Sequence, residues 1–157
     1  MSTISTLGEI RPEHDRPVEA VLLRYQRSFR RPIREVWSAC TRRGELARWL
    51  GTVTDTGGTL LLDLLDGPVV GPLAVRVAHC AAPGELVAHV DGSLVEMRMN
   101  QVGVVTTVEL VRRHLSPEQA ETLGPRWQYL LDRLEAYLDR RELPRWADYP
   151  ELAGEYR

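Results

Sequence analysis

The chain has 157 residues, of which 43% are hydrophobic and 27% charged, with a formal net charge of -2. This make-up suits a single globular domain, 1–157, with one substantial core. It excludes a general electrostatic pull toward nucleic acid or anionic membrane, and no run of about 18 apolar residues offers a membrane span. All 20 basic residues are Arg, which reads as codon bias rather than as a phosphate-recognition device. The N-terminus has no basic region followed by an apolar core, so a cytoplasmic protein without a signal peptide is expected. Cys40 and Cys80 are then expected to be reduced and buried.

Residues 1–17 are polar, charged and Pro-containing without a period, and read as a loose arm. Residues 18–30 hold the first strand. Val21, Leu23, Tyr25, Arg27 and Phe29 alternate with Leu22, Arg24, Gln26 and Ser28, and the odd set faces the core. Arg27 on that face calls for an acidic partner or a place near the strand end. Pro32 opens a short helix in which Ile33, Val36, Trp37 and Cys40 keep helical spacing. Gly44 breaks it. A second short helix, 45–50, sets Leu46, Trp49 and Leu50 on one side, with Gly51 as its stop.

Strands follow from Gly57-Gly58 onward. Residues 59–65 form an apolar run, and Asp66-Gly67-Pro68 is a turn. In 69–79, Val69, Leu73, Val75 and Val77 share one face. Leu86, Ala88 and Val90 alternate with Val87, His89 and Asp91, and Asp91-Gly92 is a two-residue hairpin turn. Val95, Met97 and Met99 point inward, Glu96 and Arg98 outward. After a turn near Asn100-Gln101 comes the longest strand, rich in β-branched residues, with Val104, Thr106, Val108 and Leu110 facing inward.

Ser116 is an N-cap, Pro117 suits the first helical position and Gln119 completes a capping box. Gly124-Pro125 is expected to interrupt the helix and restart it. From Pro125 to about Arg141 the residues Trp127, Leu130, Leu131, Leu134, Tyr137 and Leu138 form one apolar face. The tail, 142–157, holds Trp146, Tyr149 and Tyr156. It is expected to be non-helical but packed, on its own domain or against a second copy in a homodimer. The tight turns imply antiparallel neighbours, so the fold class is α+β: a curved antiparallel sheet around a long C-terminal helix, with two short helices after the first strand.

Chemistry-bearing motifs are few. His14, His79, His89 and His114 are scattered, with no HxH, HExxH or CxxC spacing, so no metal is expected. No GxSxG, Walker loop or GxGxxG occurs, and no cofactor is expected.

Three stretches carry a resemblance. Residues 27–51 (RSFRRPIREVWSACTRRGELARWLG) follow a pattern of strand, Pro, a helix with Val-Trp, a Thr, and a second helix ending in a Trp. Gly57-Gly58 precedes the strand run. GPRWQYLLDRLEAYL, 124–138, closes the chain with Gly-x-x-Trp and Leu-x-x-Leu. Together they resemble the START-like SRPBCC superfamily, the helix-grip fold, and within it the branch named after the activator of heat-shock ATPase (AHSA-like). Arg42-Arg43 stands where that branch usually has Asp-Pro. The resemblance implies a cavity for an apolar small molecule between sheet and helix.

The first functional reading is therefore a protein that binds an apolar or aromatic ligand there, rather than an enzyme. Its expected lining is Trp37, Trp49, Met97, Thr106, Val108, Leu110, Trp127, Leu131 and Leu134, with no catalytic residue assigned. Two alternatives stay open. A cyclase- or hydrolase-type cavity enzyme would need a residue such as Thr106 or His89 buried among apolar neighbours. A module assisting a chaperone ATPase would need an exposed patch and little internal void.

Overall fold

The computed structural model describes residues 8–13, 20–67 and 71–156. Its strands are β1 (Glu9–Glu13), β2 (Ala20–Phe29), β3 (Gly51–Asp55), β4 (Leu60–Leu64), β5 (Leu73–Ala81), β6 (Glu85–Val90), β7 (Ser93–Val102) and β8 (Val105–Leu115). They form one antiparallel, curved sheet in the order β1-β2-β8-β7-β6-β5-β4-β3. Helices α1 (Ile33–Thr41) and α2 (Arg43–Trp49) carry the chain from β2 to the far edge at β3. Helix α3 (Pro117–Leu138) follows β8.

Strand alternation decides what the sheet buries. In β2 the odd residues Val21, Leu23, Tyr25, Arg27 and Phe29 are buried, and in β7 so are Val95, Met97 and Met99. Asp91 and Gly92 have φ of 49° and 83°, the left-handed pair that a two-residue hairpin requires. The next hairpin turns at Gly103, φ 60°, later than the expected turn at Asn100-Gln101. Val104 therefore lies in the turn and is 63% exposed instead of facing the helix.

Helix α3 starts as its capping box dictates: Gln119 N–H donates to Ser116 Oγ (3.1 Å), and Ser116 N–H to Gln119 Oε1 (2.9 Å). It does not break at Gly124-Pro125 but runs through them as one α-helix. Proline in a helix interior costs about 3 kcal/mol, and here burial of the surrounding turn offsets it. Gly124 and Pro125 are both buried. The Gly124 carbonyl accepts the Tyr25 hydroxyl at 2.6 Å, and a Cβ on Gly124 would stand 2.3 Å from the Tyr156 ring. The glycine is there for close packing, not to end a helix. The helix stops at Leu138, before Arg141. Arg140 takes φ 55°, Arg141 N–H donates to Ala136 O (2.8 Å) and Arg140 N–H to Tyr137 O (3.2 Å), the Schellman pattern.

Other expectations are corrected. Within the expected loose arm, residues 9–13 are β1, paired with β2 from Glu9↔Arg24 to Glu13↔Ala20. Residues 1–7 and 14–17 of that arm, and Val69, lie outside the described residues. Gly44 does not divide the short helices. It sits inside α2, and Arg42 is the extended residue between them. Gly51 opens β3 rather than closing a helix; a Cβ there would meet the Asp63 carbonyl oxygen at 2.1 Å, so the β3–β4 contact demands glycine. Cys80 is exposed rather than buried, because β5 from Arg76 to Ala81 is exposed throughout. The tail is not free of helix: Trp146–Asp148 and Pro150–Tyr156 are 3-10 turns. They cover the back of α3. The Tyr129 ring meets Trp146 (5.5 Å) and Tyr149 (5.0 Å) edge-on, and Tyr156 donates to Gln128 Oε1 at 2.8 Å.

Candidate functional site

The inner face of the sheet and α3 do not meet along their whole length, and the gap is a cavity of about 260 Å³. Its floor follows from the strand register. One row crosses β8, β7 and β6 as Leu110, Met97 and Leu86; the next as Arg112, Val95 and Ala88. Paired residues share a face, so all six line the space. Val90, Val75, Leu73, Leu62 and Leu64 extend the wall toward the β3 edge. Leu123, Trp127, Leu130, Leu131 and Leu134 of α3 form the roof at helical spacing, and Leu46 and Trp49 of α2 close one side. Trp49 is fixed by its indole N–H, which donates to Ala39 O at 2.9 Å. Arg133 Nε donates to Trp49 O at 2.6 Å and clamps the end of α2 to α3.

Four lining groups are ionisable. The Cys40 thiol is pushed up to about 12 by burial, with Glu45 adding to the effect, so it is a protonated thiol and not a nucleophile. Asp91, in the hairpin turn, already accepts Ala74 N–H at 2.9 Å. Arg126 is half-buried on α3. Arg112 is 6% exposed, and its guanidinium lies over the Trp127 ring, 5.9 Å from the centroid. Burial lowers its pKa and Asp91 acts the other way; an arginine so placed is still a cation at neutral pH. Its Nε and Nη1 have no hydrogen-bond partner among the described residues.

Of the nine residues expected to line the site, Trp49, Met97, Leu110, Trp127, Leu131 and Leu134 surround the cavity. Trp37, Thr106 and Val108 do not, which corrects the expected lining. Thr106 and Val108 lie nearer the hairpin end of β8, where the core is filled by Phe29 and Met99. The Thr106 hydroxyl donates to Arg31 O at 2.6 Å. His89 is on the other face of β6 and off the cavity. The residue that sequence reading missed is Arg112. The same alternation that turns Thr106, Val108 and Leu110 inward puts Arg112 next in the row, and the period of two was the available signal. Among the described residues no cluster of His, Cys, Asp or Glu could hold a metal ion, and no helix is long and apolar enough to cross a membrane.

No family model matches the chain, and no curated protein matches it. Solved structures do. The chain is similar to CalU16 from Micromonospora echinospora, with 23% identity and a TM-score of 0.72, over 94% of this chain and 92% of that one. It is similar to DynU16, of the dynemicin biosynthetic locus, with 22% identity and a TM-score of 0.65, over 75% of this chain and 47% of that one. It is also similar to Aha1 from Colwellia psychrerythraea, solved as a dimer, with 13% identity and a TM-score of 0.64, over 74% of this chain and 95% of that one. The likeness is one of fold: this chain has the helix-grip arrangement, a curved antiparallel sheet around a long C-terminal helix.

Proposed function

We propose that this protein binds an apolar or aromatic small molecule in the cavity between sheet and α3. The observation that carries the reading is the cavity itself: about 260 Å³, walled chiefly by aliphatic and aromatic side chains from five strands and two helices, α2 and α3. Close-packed interiors hold few voids of that size. An apolar cavity of about 150 Å³ accepts benzene, so the space here suits roughly two fused rings. Such a ligand is held chiefly by burial, at about 25 cal/mol for each Å² of apolar surface removed from water. The short list of polar groups sets its orientation.

The test is to fill the space. Ala88 lies on the cavity floor and is 7% exposed; Ala88→Phe places a phenyl ring in the void. A naphthalene-based probe titrated by calorimetry should bind the wild type and lose at least about tenfold in affinity, about 1.4 kcal/mol, in the folded variant. Unchanged binding in a folded Ala88→Phe protein would move the site elsewhere.

The likeness to Aha1 favours a second reading, a self-associating module of the heat-shock-ATPase-activator branch. The β7–β8 hairpin tip supports it by exposing Val102 (81%) and Val104 (63%). A wild type that binds no apolar probe but sediments as a dimer at micromolar concentration would select that reading over the first.

A further inference from the structure

We infer that the ligand of the cavity carries one anionic oxygen group, of carboxylate geometry and charge, and that Arg112 is its receptor. The inference rests on the binding reading above and adds the chemical class: an aromatic or alicyclic acid of about two rings.

Three arginines are buried to the same degree, Arg27 at 4%, Arg133 at 5% and Arg112 at 6% exposure. Arg27 meets Asp132 and Glu135 at 2.7 and 3.1 Å. Arg133 donates to Trp49 O, to Pro144 O and to the Tyr129 hydroxyl. Arg112 alone leaves Nε and Nη1 without a protein acceptor among the described residues. Its partners across the strands are Leu23 and Val95, neither of whose side chains can accept a hydrogen bond. The carboxylate that lines the same space, Asp91, makes no ion pair with it among the described residues and is held by Ala74 N–H.

Buried charges are normally paired, because an isolated one carries a desolvation penalty of several kcal/mol. Here a cation with no ion pair among the described residues borders the cavity, its guanidinium over the Trp127 ring, with Arg126 as a second cation on the wall. A ligand carboxylate supplies what the protein omits. The guanidinium's charge and N–H donors suit a carboxylate, and such charge-assisted hydrogen bonds are about twice as strong as neutral ones. The rest of the wall accepts a flat hydrocarbon body. No bond is made or broken; the site is a receptor.

The experiment compares 2-naphthoate with 2-acetonaphthone, its uncharged near-isostere, by calorimetry on wild type, Arg112→Met and Arg112→Lys. Wild type should prefer the acid by about tenfold or more. Arg112→Met should weaken the acid by at least about tenfold while leaving the ketone within about threefold, and Arg112→Lys should keep part of the preference. If both probes bind wild type equally, or Arg112→Met weakens both alike, the inference falls and the apolar cavity stands. If neither probe binds wild type, both fall. The wild-type comparison needs no variant to fold.

Discussion

Arg27 and Arg112 sit on the inner face of adjacent strands, β2 and β8, and are almost equally hidden, at 4% and 6% exposure. Their surroundings are opposite. Around Arg27 the protein has built a complete answer: Asp132 and Glu135 on α3, with the Tyr149 hydroxyl holding the second oxygen of Asp132 at 2.7 Å. Around Arg112 it has built apolar side chains, an indole face and a void. One end of the inner face is closed by charge and fixes α3 on β2. The other leaves a buried charge beside the cavity. A buried cation by itself says little about function; the completeness of its shell separates a structural group from a receptor.

The largest effect should come from removing these cations in turn. Arg27→Met leaves two carboxylates facing apolar substitution. Because they are 20% and 35% exposed, water relieves part of the loss, and the destabilisation should be about 2–3 kcal/mol rather than the 3–5 of a sealed pair. Arg112→Met removes a cation that makes no ion pair among the described residues, so no closely paired carboxylate is orphaned. It forfeits about 0.5–1 kcal/mol of cation–π attraction and regains more than that in desolvation, so stability should hold or rise by about 1–3 kcal/mol. Urea unfolding with equal slopes measures both. An Arg112→Met protein as unstable as Arg27→Met would erase the contrast.

Packing gives a second, smaller contrast, away from the cavity. Gly124 on α3 lies against the Tyr156 ring, where a Cβ would sit 2.3 Å away; around Gly44 on α2 a Cβ would meet nothing within 4 Å. Alanine is the better helix former by about 1 kcal/mol. Gly44→Ala should therefore gain about 0.5–1 kcal/mol, while Gly124→Ala should lose about 1–2 kcal/mol net as the tail is forced off α3. Thermal unfolding gives the signs. Stabilisation of Gly124→Ala would mean that the tail yields freely and is not part of the packed fold.

The contrast also marks how far the sequence could be read. Elements with a strong period or a local chemical signature were legible: the odd face of β2, the Asp91-Gly92 turn, the Ser116–Gln119 box and the acidic partner for Arg27. What failed depended on contacts distant in sequence. Gly124-Pro125 looks like a helix stop until Tyr156, thirty-odd residues on, occupies the missing Cβ space. β1 and β3 are short edge strands whose five residues carry little pattern without the neighbour that pairs them. Arg112 was overlooked for a different reason. The period of two places it inward as firmly as Leu110, but a charged side chain next to a polar strand end invites the reading of a solvated face. Whether it has a partner is a three-dimensional fact. Trp37 and Val108 pack in the core cluster and not at the cavity, and side-chain volume is not visible as a pattern.

The smallest effect lies where the tail meets the β4–β5 connection. Asp66 Oδ2 accepts the Trp146 backbone N–H and the Tyr129 hydroxyl, each at 2.9 Å. The Trp146 hydrogen bond, with help from Tyr129, holds the Asp66 carboxyl below its usual range against the opposing effect of burial. A carboxyl whose folded pKa is depressed contributes stability that is present above the unfolded value of about 3.9 and is lost as pH falls through the lower folded one. The tail contact should thus be insensitive to pH from neutrality to about 4 and loosen below it. Because Asp66 is exposed, water screens the interaction and global stability should barely register it. The Trp146 backbone amide should register it, as a shift in a proton–nitrogen correlation spectrum that follows a titration below pH 4 in the wild type. Asp66→Asn keeps an oxygen acceptor in place but removes the charge, so its Trp146 amide should stay flat over the same range. Identical pH profiles in both proteins would assign the titration to another group and leave the tail held by its aromatic packing alone.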